Sequence, residues 1–150
     1  MLTDVRAYQL SRHVPNWLVR VIPIADFHRL PESTPHLENA LRPRELITGV
    51  TLPKPVGGTQ LYHKVRDRAS YAFALVSVAA IVQKDGTGRV ALGGVAPKPW
   101  RVEAAESQMP HGAGGVASHL LSGAKPTRDN AYKLKLVERT LDAVMNEARS

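Results

Sequence analysis

The sequence predicts an α+β fold in which an antiparallel sheet carries helices on one face. Extended segments rich in β-branched residues fill the middle of the chain, and segments with helical periodicity follow from Trp100 onward. A glycine-containing turn at residues 84–88 joins two of the extended segments, as in an antiparallel hairpin. Strands that precede helices in this way are typical of α+β domains.

The first extended run, residues 21–27, contains Pro23 and therefore predicts an edge strand, because proline cannot donate to a sheet ladder. Residues 28–44 hold three prolines and predict a long surface connection, a kind of segment that is often functional. Residues 46–52 alternate well enough to predict a strand, and the proline and glycine cluster at residues 53–58 ends it.

Residues 61–68 alternate again and, if they are extended throughout, place Lys64, Arg66 and Arg68 on one face of a strand. Three neighbouring cations can hold a phosphate or a carboxylate, because arginine donates forked hydrogen bonds and lysine supplies a point charge. The alternative is a solvated strand face on which Asp67 neutralises a neighbouring charge.

Residues 72–82 are apolar on both faces, and their β-branched residues favour a strand that pairs with residues 89–95 in a hairpin. A sheet with one face in water would alternate. We therefore expect helices to cover one side of this strand and another protein to cover the other, unless the segment is not a strand. The Gly93-Gly94 pair predicts a bulge or a close approach of backbone.

Three helices are expected in the last third of the chain. The first two span residues 102–108 and 116–121, and Gly123 ends the second. Thr127 or Asp129 is the expected N-cap of the third and longest helix. Its apolar stripe, at three- and four-residue spacing, consists of Leu134, Val137, Leu141 and Val144.

The composition fits one ordinary globular domain of 150 residues. The chain has no cysteine, which excludes disulfides, thiolate zinc sites, cysteine-ligated iron–sulfur clusters and a cysteine nucleophile. Twenty lysines and arginines against 13 acids give a net charge of +7. This balance favours an anionic partner: a nucleic acid, a phosphate-bearing cofactor or an acidic protein surface.

No catalytic residue and no metal site are predicted. The segment Gly112–Ala117 matches the loose pattern G-x-G-x-x-A, but it lacks the preceding strand and the acid that dinucleotide binding requires, so it predicts a turn that opens a helix. The six histidines lack the spacing of a helical metal site, and no serine, histidine and aspartate have the spacing of a known triad. These residues alone indicate a basic domain that binds an anion or docks to a larger partner.

Four stretches of the chain resemble one protein family. They are residues 20–31, 45–48, 64–74 and 91–100, which read RVIPIADFHRLP, ELIT, KVRDRASYAFA and ALGGVAPKPW. In this order they resemble the FAD-binding subunit of molybdenum hydroxylases of the aldehyde oxidoreductase or xanthine dehydrogenase type, with a C-terminal domain like that of the carbon monoxide dehydrogenase flavoprotein. The resemblance runs from about Arg20 to the end of the chain.

The resemblance implies two parts. Residues 1–44 would be a remnant of the FAD-binding domain with its connector. Residues 45–150 would be the C-terminal α+β domain, a three- to four-stranded antiparallel sheet packed on one face by about three C-terminal helices.

The resemblance also implies a role in electron transfer. In the complete enzymes a molybdenum cofactor subunit hydroxylates an aldehyde or a purine, and electrons pass through the clusters of an iron–sulfur subunit to FAD. This chain would complete the flavin pocket and dock to those partners. FAD is expected only together with the missing N-terminal domain, which carries the pyrophosphate loops, so we do not expect the isolated chain to be catalytic.

Two cofactor-binding residues follow from the resemblance. Ile47 matches a position that packs near the flavin, and Lys64 matches a lysine that reaches it. A cation there would stabilise negative charge on the reduced flavin. Arg44 stands where the family usually has glycine.

The alternative function is a non-enzymatic basic module that binds nucleic acid or another polyanion. No membrane partner is expected, and the expected location is the cytoplasm, or the periplasm if the chain is exported with a partner subunit.

Overall fold

The structure is a computed structural model that describes residues 4–9 and 19–150. The chain divides into two compact units, Met1–Val56 and Gly57–Ser150. No helix in the described residues is long and apolar enough to cross a membrane. The α+β class predicted from the sequence is confirmed, because the second unit is an antiparallel sheet followed by helices.

The first unit is a three-stranded antiparallel sheet with the strand order β2-β1-β3. Its strands are β1 (Asp4–Gln9), β2 (Val19–Pro23) and β3 (Glu45–Thr51), and a helical turn, α1 (Ile24–Phe27), follows β2. Strand β2 lies at an edge, as Pro23 predicts. The extended run is shorter than predicted, because the chain turns into α1 directly after Pro23.

Strand β3 pairs with β1 along its length, and these backbone hydrogen bonds place it in the first compact unit, which extends to Val56. The division of the chain into residues 1–44 and 45–150, which the resemblance implies, stays a prediction. The register shifts at Arg6, so that Ala7 pairs with Ile47 and Thr48 is left as a bulge.

The second unit contains a three-stranded antiparallel sheet in the order β4-β5-β6. The strands are β4 (Thr59–Val65), β5 (Val76–Val82) and β6 (Gly88–Gly93). The predicted hairpin is thus confirmed, although β5 begins at Val76 rather than at residue 72. Strand β4 ends at Val65, so residues 61–68 are not extended throughout, and Lys64, Arg66 and Arg68 do not share one strand face.

Helices follow the sheet as predicted: α2 (Glu103–Glu106), α3 (Ala113–Leu120) and α4 (Tyr132–Glu147), with a short 3₁₀ turn at Met109–His111. The predicted cap of the last helix is wrong, because α4 begins after Ala131 without a side-chain cap. The Asn130 side chain instead accepts a hydrogen bond from the Thr127 amide in the preceding turn, at 2.7 Å.

The core of the second unit lies between one face of the sheet and the helices. In β5 every second residue points into it, and Val76 and Val78 are wholly buried. From α4 it receives most of the predicted apolar stripe, with Val137, Leu141 and Val144 at 1% exposure or less. Burial on this scale is the main stabilising contribution to a domain of this size.

Candidate functional site

The face of the second sheet that points away from this core is the candidate site, and we call it the outer face. Its residues alternate along each strand with those that point into the core. The strand register places them in three rows across the sheet: Lys64, Ser77 and Gly93; Tyr62, Ala79 and Ala91; and Gln60, Ile81 and Arg89.

The middle of the outer face is made of small residues. Gly93 lies so close to Ser77 that an added Cβ would come within 2.5 Å of the Ser77 Oγ. Ala79 and Ala91 fill the adjacent row, and Ala79 is exposed. Ala79 and Ala91 leave the centre of the outer face without long side chains, whereas Ser77 is only 6% exposed. The sequence pattern predicts that this second face is apolar. The strand register adds that small residues lie side by side in its middle.

Lys64 stands at the β4 side of the outer face. It is exposed and lies opposite Ser77 in the neighbouring strand. Among the described residues it makes no ion pair or hydrogen bond, so its ammonium keeps three donors for a ligand. Tyr62, two residues earlier on the same face, is 63% exposed and offers a second polar group and an aromatic ring.

The segment 66–75, which follows β4, displays aromatic side chains. Tyr71 and Phe73 are 96% and 98% exposed. The guanidinium of Arg68 donates to the carbonyl oxygen of Tyr71, whose φ is +51°, and so supports a left-handed backbone conformation that is costly for tyrosine. Tyr71 and Phe73 belong to the stretch 64–74 that carries the family resemblance, but the resemblance gives them no role.

Ile47, the second predicted cofactor-binding residue, lies on β3 in the first unit and is 40% exposed. Lys64 belongs to the second unit, so the two residues occupy separate compact units. The turn before β3 supports the resemblance, because Arg44 has a φ of +69°, a left-handed conformation that glycine adopts most readily.

An ion pair that the sequence analysis missed holds the start of β3. The Nε of Arg20 donates to the Oε1 of Glu45 at 3.0 Å, and the Arg42 amide donates to Oε2 at 2.7 Å. These hydrogen bonds hold the pKa of Glu45 below its ordinary value. Arg20 also donates to the carbonyl oxygen of Ala40, so one guanidinium joins β2, the connection and β3. The residues lie 25 positions apart, and no local pattern relates them.

The glycine-rich segment forms the turn that the sequence predicts. Gly112, with a φ of +109°, precedes α3, and the 3₁₀ turn Met109–His111 comes before it, where dinucleotide binding would require a strand. Within the described part of the chain, no three histidine or acidic side chains are grouped so that they could hold a metal ion.

Comparison with known proteins identifies relatives. No known protein-family profile matches the chain. It is 60% identical over 136 residues to the aldehyde oxidoreductase FAD-binding subunit PaoB of Escherichia coli (strain K12), a match that covers 91% of this chain and 43% of that protein. The chain therefore spans less than half the length of this curated relative.

A solved structure shares the fold. The crystal structure of quinoline 2-oxidoreductase from Pseudomonas putida 86 superposes with a TM-score of 0.74 at 20% identity, over 98% of this chain and 52% of that chain. The family resemblance of the four sequence stretches is confirmed by the first match, and the α+β fold by the second. This chain is thus a close homologue of part of the aldehyde oxidoreductase FAD-binding subunit PaoB.

Proposed function

We propose that the chain is the C-terminal part of the FAD-binding, electron-transferring subunit of a molybdenum hydroxylase that oxidises an aldehyde. The observation that supports this function is the 60% identity over 136 residues to the E. coli aldehyde oxidoreductase subunit. The chain would act within a complex, with the molybdenum cofactor and the iron–sulfur clusters on partner subunits.

The outer face fits the flavin ring of FAD rather than the whole cofactor. A planar ring needs a surface of small residues, which Ala79, Ala91 and Gly93 would provide, and a donor for its polar edge, which the exposed Lys64 would provide. A glycine-rich loop between a strand and a helix, the usual pyrophosphate site, does not occur in residues 19–150. The phosphates would therefore bind another part of the complete subunit.

A bound FAD would supply electron transfer to an external acceptor. Lys64 would place a fixed positive charge beside the ring and donate hydrogen bonds to it, which favours negative charge there. The small residues of the outer face would exclude water by contact with the ring. Ile47 would pack against the flavin with an apolar side chain that is now 40% exposed.

The exposed aromatic residues of segment 66–75 support docking to a partner. Tyr71 and Phe73 each leave nearly the whole side chain in water, and aromatic residues of this kind are enriched at protein interfaces. Arg66 and Arg68 precede them in sequence and add positive charge to the segment. We assign this segment to contact with the companion polypeptides of the enzyme.

Co-expression tests the proposed function. The chain is produced together with the portion of the E. coli aldehyde oxidoreductase FAD-binding subunit that it does not match, and the purified complex is examined for flavin absorbance. Retained flavin is expected. A complex that forms without flavin would overturn the proposal.

Lys64 is then tested by the reduction potential of that flavin. Lys64→Gln should lower the potential by roughly 20–60 mV, because a positive charge near the ring is lost. The matched control is Lys84→Gln, an exposed lysine in the turn between β5 and β6, which should leave the potential unchanged. Equal potentials for wild type and Lys64→Gln would show that this lysine has no such role.

Ile47 is tested against its neighbour. Ile47→Asn should reduce the flavin content of the complex. Leu46→Asn should not, because adjacent strand residues point to opposite faces and Leu46 is even more exposed, at 59%. The two variants therefore separate a contact with flavin from a general effect on β3.

Polyanion binding remains the second candidate, and it is supported by the net charge of +7. Such binding would weaken steeply with salt through counterion release. A salt-dependent mobility shift with nucleic acid, together with a complex that lacks flavin, would favour this candidate over the first.

A further inference from the structure

A cleft unrelated to the outer face opens in the second unit. Its volume is about 250 Å³, and it lies where the segment after β6 meets the connection between α3 and α4. Apolar side chains form most of its lining: Val95, Ala96, Trp100, Leu120, Leu121, Pro126 and Leu134.

Trp100 forms a rigid wall of this cleft. Its indole Nε1 donates to the carbonyl oxygen of Leu120 at 2.8 Å, and its backbone exchanges two hydrogen bonds with Leu92 at 2.8 and 2.9 Å. Leu120 and Leu92 are buried, with exposures of 1% and 2%. The aromatic wall is therefore held in place before any ligand arrives, which reduces the entropic cost of binding.

The charged groups that line the cleft are all positive. Lys125 and Lys133 lie in the lining, and no aspartate or glutamate does. Lys133 donates one hydrogen bond, to the carbonyl oxygen of Gly94 at 2.7 Å, and so keeps two donors. Lys125 has no partner among the described residues. Asp129, the acid close to both lysines in sequence, lies outside the lining and pairs with Arg128 at 3.4 Å.

We propose that this cleft binds a small organic anion, a carboxylate carried on a single aromatic ring or an apolar group of similar size. The apolar walls fit the body of such a ligand, and Lys125 and Lys133, the charged residues of the lining, supply positive charge for its carboxylate. The volume lies below the range of about 300–1,000 Å³ that suits drug-sized ligands, which favours a ligand smaller than a nucleotide. The site shares no residue with the proposed flavin surface, so the two proposals stand or fall separately.

Benzoate is the probe, and the full chain is titrated with it in ¹H–¹⁵N correlation spectra. The chain has two tryptophans, so the spectra contain two indole signals, which Trp17→Phe assigns. A saturable shift of the Trp100 indole signal is expected, without a comparable shift of the Trp17 signal. Benzyl alcohol has the same ring without the charge and should bind at least threefold more weakly. Absence of a saturable Trp100 shift, or equal binding of the alcohol, would overturn the proposal.

Lysine variants test the anionic part of the recognition. An ion pair at a partly exposed site changes a binding constant by up to about fivefold. Lys125→Gln and Lys133→Gln should each weaken benzoate binding within this limit, and together they should weaken it at least threefold. Lys84→Gln removes the same charge outside the cleft and should have no effect. If the double variant binds as wild type does, or if Lys84→Gln weakens binding equally, the site is not the one proposed. The chemical-shift dispersion of the same spectra reports whether each variant is folded. Because Lys125 is exposed, Lys125→Gln should leave the packing intact.

Discussion

Gly94→Ala should destabilise the second unit by about 2–5 kcal/mol. Gly94 has a φ of +77°, and a Cβ there would lie 2.7 Å and 2.8 Å from the carbonyl oxygens of Ala74 and Leu75. The left-handed conformation costs an alanine about 1–2 kcal/mol. Relief of the two contacts requires a backbone shift, which adds about 1–3 kcal/mol. Leu75 also donates to the Val65 carbonyl oxygen at 2.9 Å, so this shift would disturb the end of the strand that carries Lys64.

The assay is urea unfolding of the full chain, followed by circular dichroism. Two glycines serve as controls. Gly57 has a similar φ of +71° with nothing within 4 Å of an added Cβ, so Gly57→Ala should show the conformational cost alone. Gly114 is helical and equally open, so Gly114→Ala should stabilise the chain by up to about 1 kcal/mol. A Gly94→Ala variant no less stable than Gly57→Ala would refute the steric argument.

Three further predictions concern stability. Arg44→Gly should raise the free energy of unfolding by about 0.5–1 kcal/mol, because it removes the cost of a left-handed conformation at a non-glycine residue, which here follows Pro43 in a turn. Arg44→Ala should bring no gain in the same urea assay. Hydrogen bonds from Arg20 and from the Arg42 amide lower the pKa of Glu45, so this carboxylate stabilises the fold above its ordinary value of about 4.3, and the contribution is lost as the pH falls through the lower folded value. The stability difference between wild type and Glu45→Gln should therefore be largest near neutral pH and shrink on acidification; a difference that grows in acid would contradict this. Leu141→Ala removes a core side chain that is 1% exposed and should cost about 2–5 kcal/mol in the free energy of unfolding, with a lower Tm; an unchanged Tm would show that α4 is not packed as described.

Local patterns predicted the elements whose structure depends on neighbours in sequence. Pro23 predicted an edge strand because proline has no backbone N–H to donate to a neighbouring strand, whatever the sheet. The turn after β5 predicted the hairpin, and the close approach predicted at Gly93-Gly94 corresponds to contacts that an added Cβ would make at both positions. The spacing of Leu141 and its apolar neighbours predicted the buried face of α4, because an apolar stripe along one side of a helix packs against the core.

The sequence alone thus determined the α+β class, the order of strands and helices in the second unit, the net charge and, through four short stretches, the resemblance to FAD-binding subunits. Tertiary structure decided the rest. It paired β3 with β1, ended β4 at Val65 before the two arginines, and brought the segment after β6 against the α3–α4 connection to form the cleft. The reason is physical. The periodicity of a segment indicates which of its faces is buried, but hydrogen bonds and packing between distant segments decide which other segment covers that face. The outer face and the cleft are both products of such long-range contacts.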